Sequence, residues 1–196
     1  NPPAPTTSSM PFLELYKLVP SAVVGTTFAS FVQGGMSSMA IVFAIEAGMS
    51  TGKATIFVSA GLTGAALLQI PLGRLSDRYP RRIIILFCIF ISASIAVFQS
   101  LLSNSNDLHI FLNLLFGAFV FPLYGLFAAL ANDWIPSEKR ISASSTLVLA
   151  SSSGAVVAPI AIGFLLGNFA PSSYFLANAS VLIFVGIYIS YRTRVR

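Results

Sequence analysis

Ten consecutive residues, Gly73-Arg74-Leu75-Ser76-Asp77-Arg78-Tyr79-Pro80-Arg81-Arg82, set one carboxylate among four guanidiniums. This pattern suits ion pairing rather than bond making. Arginines pair with acids or with lipid phosphates, and a carboxylate accepts hydrogen bonds from a helix amino terminus. Gly73 permits close helix approach or an unusual backbone angle, and Pro80 predicts a turn in a short loop. Four basic residues alone would serve to orient a membrane loop. The ordered spacing of glycine and acid goes beyond what orientation alone requires, and it singles out Gly73, Asp77, Arg78, Arg81 and Arg82.

A second polar set lies inside apolar runs. Thr26, Ser30, Gln33 and Ser37 recur at four, three and four residues and so share one helical face. His109, Asn113, Gly117 and Tyr124 make a comparable series, with Pro122 as a candidate kink. An amide at mid-membrane needs a partner or water. Ser30, Gln33, Asn113 and Tyr124 are therefore candidate cavity-lining residues, and interhelical hydrogen bonding is the competing reading. His109 is expected near the outer edge as an interfacial residue, with proton carriage the weaker alternative. Small residues recur through Gly154, Pro159 and Gly163, a spacing suited to close helix packing.

The supply of catalytic groups is poor. An intramembrane serine protease would need a serine activated by a histidine, and Gly35-Met36-Ser37-Ser38 with the lone His109 are the only raw materials. No phosphate loop, metal-ligand cluster or redox pair is present in the sequence. The chain is accordingly not expected to be an enzyme, and neither a metal nor a cofactor is expected. The single Cys88 cannot form an intrachain disulfide.

These residues must be positioned by membrane helices. Of 196 residues, 56% are hydrophobic and only 9% charged, and the mean hydropathy is +0.85. So few charges cannot cover a soluble globule. A transmembrane helix needs about 20 apolar residues, and spans are predicted near 20–45, 53–73, 83–102, 109–131, 141–166 and 174–190. Runs of this length are too long for barrel strands. The expected fold class is an all-α membrane protein with six transmembrane helices. Residues 1–19 read as a linker and interfacial helix, 20–191 as the six-helix domain, and 192–196 as a basic cytoplasmic tail.

Lysine and arginine placement predicts the orientation. Lys17, the four arginines of the motif, Lys139, Arg140, Arg192, Arg194 and Arg196 fall on one side, and Lys53 alone falls on the other. Ten against one predicts both termini in the cytoplasm. The net charge of +5 thus orients the chain and does not point to nucleic acid. A start at Asn1-Pro2-Pro3 without methionine suggests a processed product or a piece of a longer protein.

The ten-residue motif resembles the signature loop between the second and third spans of the major facilitator superfamily, with Pro80 where that family usually has glycine. Pro122-Leu123-Tyr124, Ala131-Asn132-Asp133 and the Gly154–Pro159–Gly163 series are similar to the carboxyl-terminal half of its YcaD-like branch. The resemblance implies a six-helix half built from two inverted three-helix units. It implies that Gly73, Asp77, Arg78, Arg81 and Arg82 form a gating motif, in which Asp77 docks against a neighbouring helix end, near Glu138–Ile141 at the start of the fifth span, and helps hold one gate conformation. It also implies that the fifth span faces a second six-helix half.

The expected function is half of a secondary transporter that moves a small solute across the plasma (inner) membrane by alternating access. The expected partners are the bilayer, a second six-helix half or another membrane subunit, and a small-molecule solute. The alternative is a non-transporting six-helix subunit of a larger membrane complex. No acid lies deep in any predicted span, so proton coupling would need a carboxylate supplied from elsewhere.

Overall fold

The computed structural model describes residues 10–102 and 106–194, with the side chains of the last two left aside. Of the expected linker over residues 1–10, residues 1–9 lie outside the described residues, as do 195 and 196, and Met10 is buried, with Thr146 bonded to its carbonyl. A short helix, α1 (Phe12–Leu18), precedes six long ones: α2 (Pro20–Glu46), α3 (Thr51–Arg78), α4 (Arg81–Leu101), α5 (Asn106–Asn132), α6 (Arg140–Asn168) and α7 (Ser173–Arg194). All six long helices are apolar and long enough to cross a bilayer. The chain is an integral membrane protein. Arg192 falls within α7 rather than in a separate tail.

Local chemistry sets the helix ends. Pro20 opens α2, where its missing N–H costs no helical bond. The Ser50 side chain accepts the Lys53 backbone N–H and caps α3. Between α2 and α3 the chain turns at Gly48, whose φ of 81° is one that side-chain-bearing residues rarely adopt. The predicted loop after Gly73 is shorter than expected. The helix continues to Arg78, and only Tyr79 and Pro80 leave it. Tyr79 is extended, with φ −118° and ψ 159°, as the residue before a proline must be.

The helices form two three-helix units, α2–α4 and α5–α7. An odd number of crossings separates corresponding helices, so the units are inverted relative to each other. Exchanging α2 with α5, α3 with α6 and α4 with α7 converts the most extensive pairing, α3 with α5, into the next, α6 with α2. The α4–α7 pairing maps onto itself. Both leading pairs approach through glycine: a methyl at Gly64 would overlap the Leu114 carbonyl oxygen, and one at Gly154 would overlap that of Thr27. Such contacts let helix backbones approach within reach of dispersion attraction.

The outward faces of α4 and α7 are rich in aromatic and bulky apolar residues. Phe87, Phe90 and Phe98 on α4 and Phe184 and Ile187 on α7 are exposed, and this surface meets lipid. The exposed faces of α3 and α6 are mixed, with Thr55, Ser59, Thr63 and Gln69 on one and Ser145, Ser152 and Ser153 on the other. The aromatic core lies at the Lys53 end, where Phe43, Tyr174 and Phe175 form a cluster with ring centroids 4.8–5.0 Å apart.

Candidate functional site

The motif residues gather around Arg81, at the first position of α4. Its guanidinium reaches Asp77 Oδ1 at 2.9 Å and, through Nε, Asp133 Oδ2 at 2.9 Å. It also donates to Ser76 Oγ at 3.2 Å, and Ser76 in turn donates to the Gly73 carbonyl. The Arg81 side chain is 23% exposed, whereas Asp77 retains 65%. Arg81 therefore ties the ends of α3, α4 and α5 together, while Asp77 stays open to a further donor. Each exposed pair contributes about 1 kcal/mol at most. Their shared guanidinium gives the cluster geometric definition beyond that sum.

Asp77 does not reach the start of the fifth span. Its partner is Arg81, and among the described residues α3 and α6 do not pack against each other. The start of α6 instead packs against α1, and the body of α6 lies along α2. Lys139 Nζ pairs with Glu14 at 2.8 Å, Thr146 Oγ1 donates to the Met10 carbonyl at 2.7 Å, and the Met10 N–H donates to Ser142 Oγ. Leu15 is fully buried in the same contact, with Val19, Ala143 and Leu147.

Asp133 is the member that the sequence reading left unassigned. It belongs to the Asn132-Asp133 end of the fourth span, on the same side as the motif. That charge position was its available signal. Among the described residues Arg74, Arg78 and Arg82 form no salt bridge, and Arg82 borders a crevice with Val19, Leu130 and Trp134. Gly73 has open space around it. It borders, with Gln69, Ser76, Pro122 and Gly125, a cleft of about 270 Å³ between α3 and α5.

The polar stripe of the first span divides. Gln33 Nε2 donates to the Val120 and Phe121 carbonyls at 3.2 and 3.1 Å, stitching α2 to α5 beside Pro122. Pro122 itself lacks the N–H that would bond the Ala118 carbonyl. Tyr124 is half-buried one turn beyond Val120 on the same strip of α5. Ser30 is 9% exposed, Thr26 bonds back to the Ala22 carbonyl, and Ser37 is exposed. Thr27, not singled out from sequence, bridges to the Ala150 carbonyl of α6 at 3.2 Å.

Asn113 sits apart from Gln33 and Tyr124. It is fully buried between α3 and α5 and donates to the Phe57 carbonyl at 2.8 Å. It serves interhelical bonding in this conformation and lines no open space. His109 lies in the first turn of α5, at the end opposite the motif. It is 5% exposed, stacks at 8° on Phe175, and meets the Gln99 amide at 3.4 Å. Of the packing set, Gly154 makes the tight contact on Thr27, Pro159 lies inside α6, and Gly163 has only Met39 nearby, at ordinary separation.

The arrangement can hold helix ends together by charge and can present hydrogen-bonding groups between α2 and α5. Among the described residues no group of three metal-ligating side chains occurs. The sequence profile of the Major Facilitator Superfamily matches residues 23–196. No curated protein matches. Two solved structures share the fold. One is described as an in meso crystal structure of the POT family transporter PepTSo, with TM-score 0.76 and 15% identity over 91% of this chain and 37% of that one. The other, an auto inhibited POT family peptide transporter, has TM-score 0.76 and 16% identity over 92% and 37%. The chain thus spans little more than a third of either structure.

Proposed function

Because the chain belongs to the Major Facilitator Superfamily, we propose that it forms one six-helix half of a secondary transporter. It moves a small solute by rocking against a second six-helix half, so that the site between them opens to each side in turn. The observation that carries this reading is the two-fold exchange of the α3–α5 and α6–α2 pairs. The exposed faces of α3 and α6 mix polar with apolar residues, while those of α4 and α7 are dominated by bulky apolar ones such as Phe90, Phe98, Phe184 and Ile187. The second half covers the α3 and α6 faces.

Within this reading the chain corresponds to the carboxyl-terminal half and to the YcaD-like branch that its motifs resemble. Arginine placement sets the Asp77 end in the cytoplasm of a cell bounded by a plasma (inner) membrane, with both termini on that side. Gln33, Ser30 and Tyr124 are the solute-facing groups, because they lie where α2 and α5 meet. Asn113 joins them only if α3 and α5 part during the cycle. Arg81 holds three helix ends as one rigid block, and the open Asp77 carboxylate accepts a donor from the second half when the cytoplasmic gate closes.

Solute uptake in vesicles carrying the complete transporter tests the gating role. Asp77→Asn is expected to reduce transport at least tenfold at equal expression. Unchanged uptake would sink it. If the chain purifies in stable association with an unrelated membrane complex and never with another six-helix unit, the non-transporting subunit is the correct reading.

A further inference from the structure

The two halves of α6 belong to different hydrophobic clusters. Ala143, Leu147 and Ala150 of the first half pack with Met10, Leu15 and Val19, joined by Ala131 and Ile135. Ile162 and Leu166 of the second half pack instead with Phe43, Tyr174 and Phe175 in the main core. Between the two groups α6 comes closest to α2. Gly154 lies against the Thr27 carbonyl, and a methyl at Gly34 would meet the Ala155 backbone at 2.9 Å. Pro159 follows at once, inside the helix. It lacks the N–H that would bond the Ala155 carbonyl, and helices bend at such points. α6 thus has a pivot on α2 with separately held halves on either side.

The first half is fastened by α1. Glu14 pairs with Lys139 Nζ at 2.8 Å, and both side chains are about half exposed. The Met10 carbonyl accepts from Thr146 Oγ1 at 2.7 Å, and the Met10 N–H donates to Ser142 Oγ. Leu15 is the buried residue of α1, while Phe12 and Leu13 on its other side are exposed. A half-exposed ion pair contributes about 1 kcal/mol at most. One buried leucine and a few rim contacts make a fastening of low local stability, of the kind that opens while the rest of the fold stays intact.

We infer that α1 is a releasable strap on α6. Docked, it fixes the first half of that helix at the end of the bundle that bears Asp77. Undocked, it lets that half swing about Gly154 and Pro159 while Ile162 and Leu166 remain in the main core. The regulatory role rests on the reading that α6 faces a second six-helix half, because a swing of its start then alters the contact at the Asp77 end.

Hydrogen exchange on the full chain in lipid nanodiscs reads the strap without reference to transport. Leu15→Ser is expected to speed amide exchange over residues 141–148 at least tenfold and to leave residues 160–166 unchanged. Glu14→Gln, at a half-exposed position, should give a smaller rise in the same turns. Unchanged rates over 141–148, or an equal rise on both sides of Pro159, would overturn the proposal. In the complete transporter, Glu14→Cys and Lys139→Cys in a Cys88→Ala background can be joined by a short reducible bis-thiosulfonate linker. Joining is expected to cut uptake at least tenfold, with recovery on reduction. Uptake indifferent to the linker would overturn the regulatory role and leave transport standing. No uptake before linking would sink transport instead, and the exchange rates would still decide the strap.

Discussion

Arg81 and Asp133 stand 2.9 Å apart across a gap of more than fifty residues in sequence, joining the start of α4 to the end of α5. The same guanidinium holds Asp77 of α3. Three helix ends therefore share one cation, which ties that end of the bundle together.

Loss of one carboxylate should be felt modestly in stability. Asp133→Asn is expected to cost about 1 kcal/mol, lowering the melting temperature in detergent by about 2–4 °C for a chain of this size. A double-mutant cycle with Arg81→Gln should return a favourable coupling of about 0.5–1 kcal/mol. Additive losses in that cycle would show that the pair contributes nothing.

The glycine contacts should be far less forgiving. Gly64→Val and Gly154→Val force a side chain into a backbone carbonyl of the neighbouring helix. Each is expected to destabilise by about 4 kcal/mol or more, because neither helix can yield without losing its packing. Size-exclusion profiles should show loss of monodisperse protein. Gly73→Ala, with open space around it, should instead be neutral or stabilising by up to about 1 kcal/mol.

Gln33→Leu separates solute contact from scaffold. Its two carbonyl contacts are membrane hydrogen bonds of the kind that contribute about 0.6 kcal/mol on average. The melting temperature should therefore fall by no more than about 2–3 °C, while uptake by the complete transporter drops at least tenfold. Full uptake with reduced stability would make Gln33 a packing residue only.

The six helices were legible because apolar runs of bilayer length are a one-dimensional signal. The Gly73–Arg78 stretch was read as loop because charge ends a hydropathy run, yet charge does not break a helix. Only Pro80 does. Partners across the bundle could not be read this way. The Asp133 partner of Arg81 depends on α4 packing against α5, and the docking of α1 on α6 depends on Glu14, Met10 and Leu15 meeting residues more than a hundred positions away. The burial of His109 could not be read either, because it depends on Phe43 and Phe175 packing on its ring from other helices.

The pairing of α3 and α6 with a second half is tested most directly by lipid accessibility. Spin labels at Ser59 on α3, Ser152 on α6 and Phe90 on α4, each in a Cys88→Ala background, can be read in bilayers with the second half present. The account predicts high oxygen accessibility at Phe90 and protection from lipid at Ser59 and Ser152. Equal lipid exposure at all three positions would contradict it.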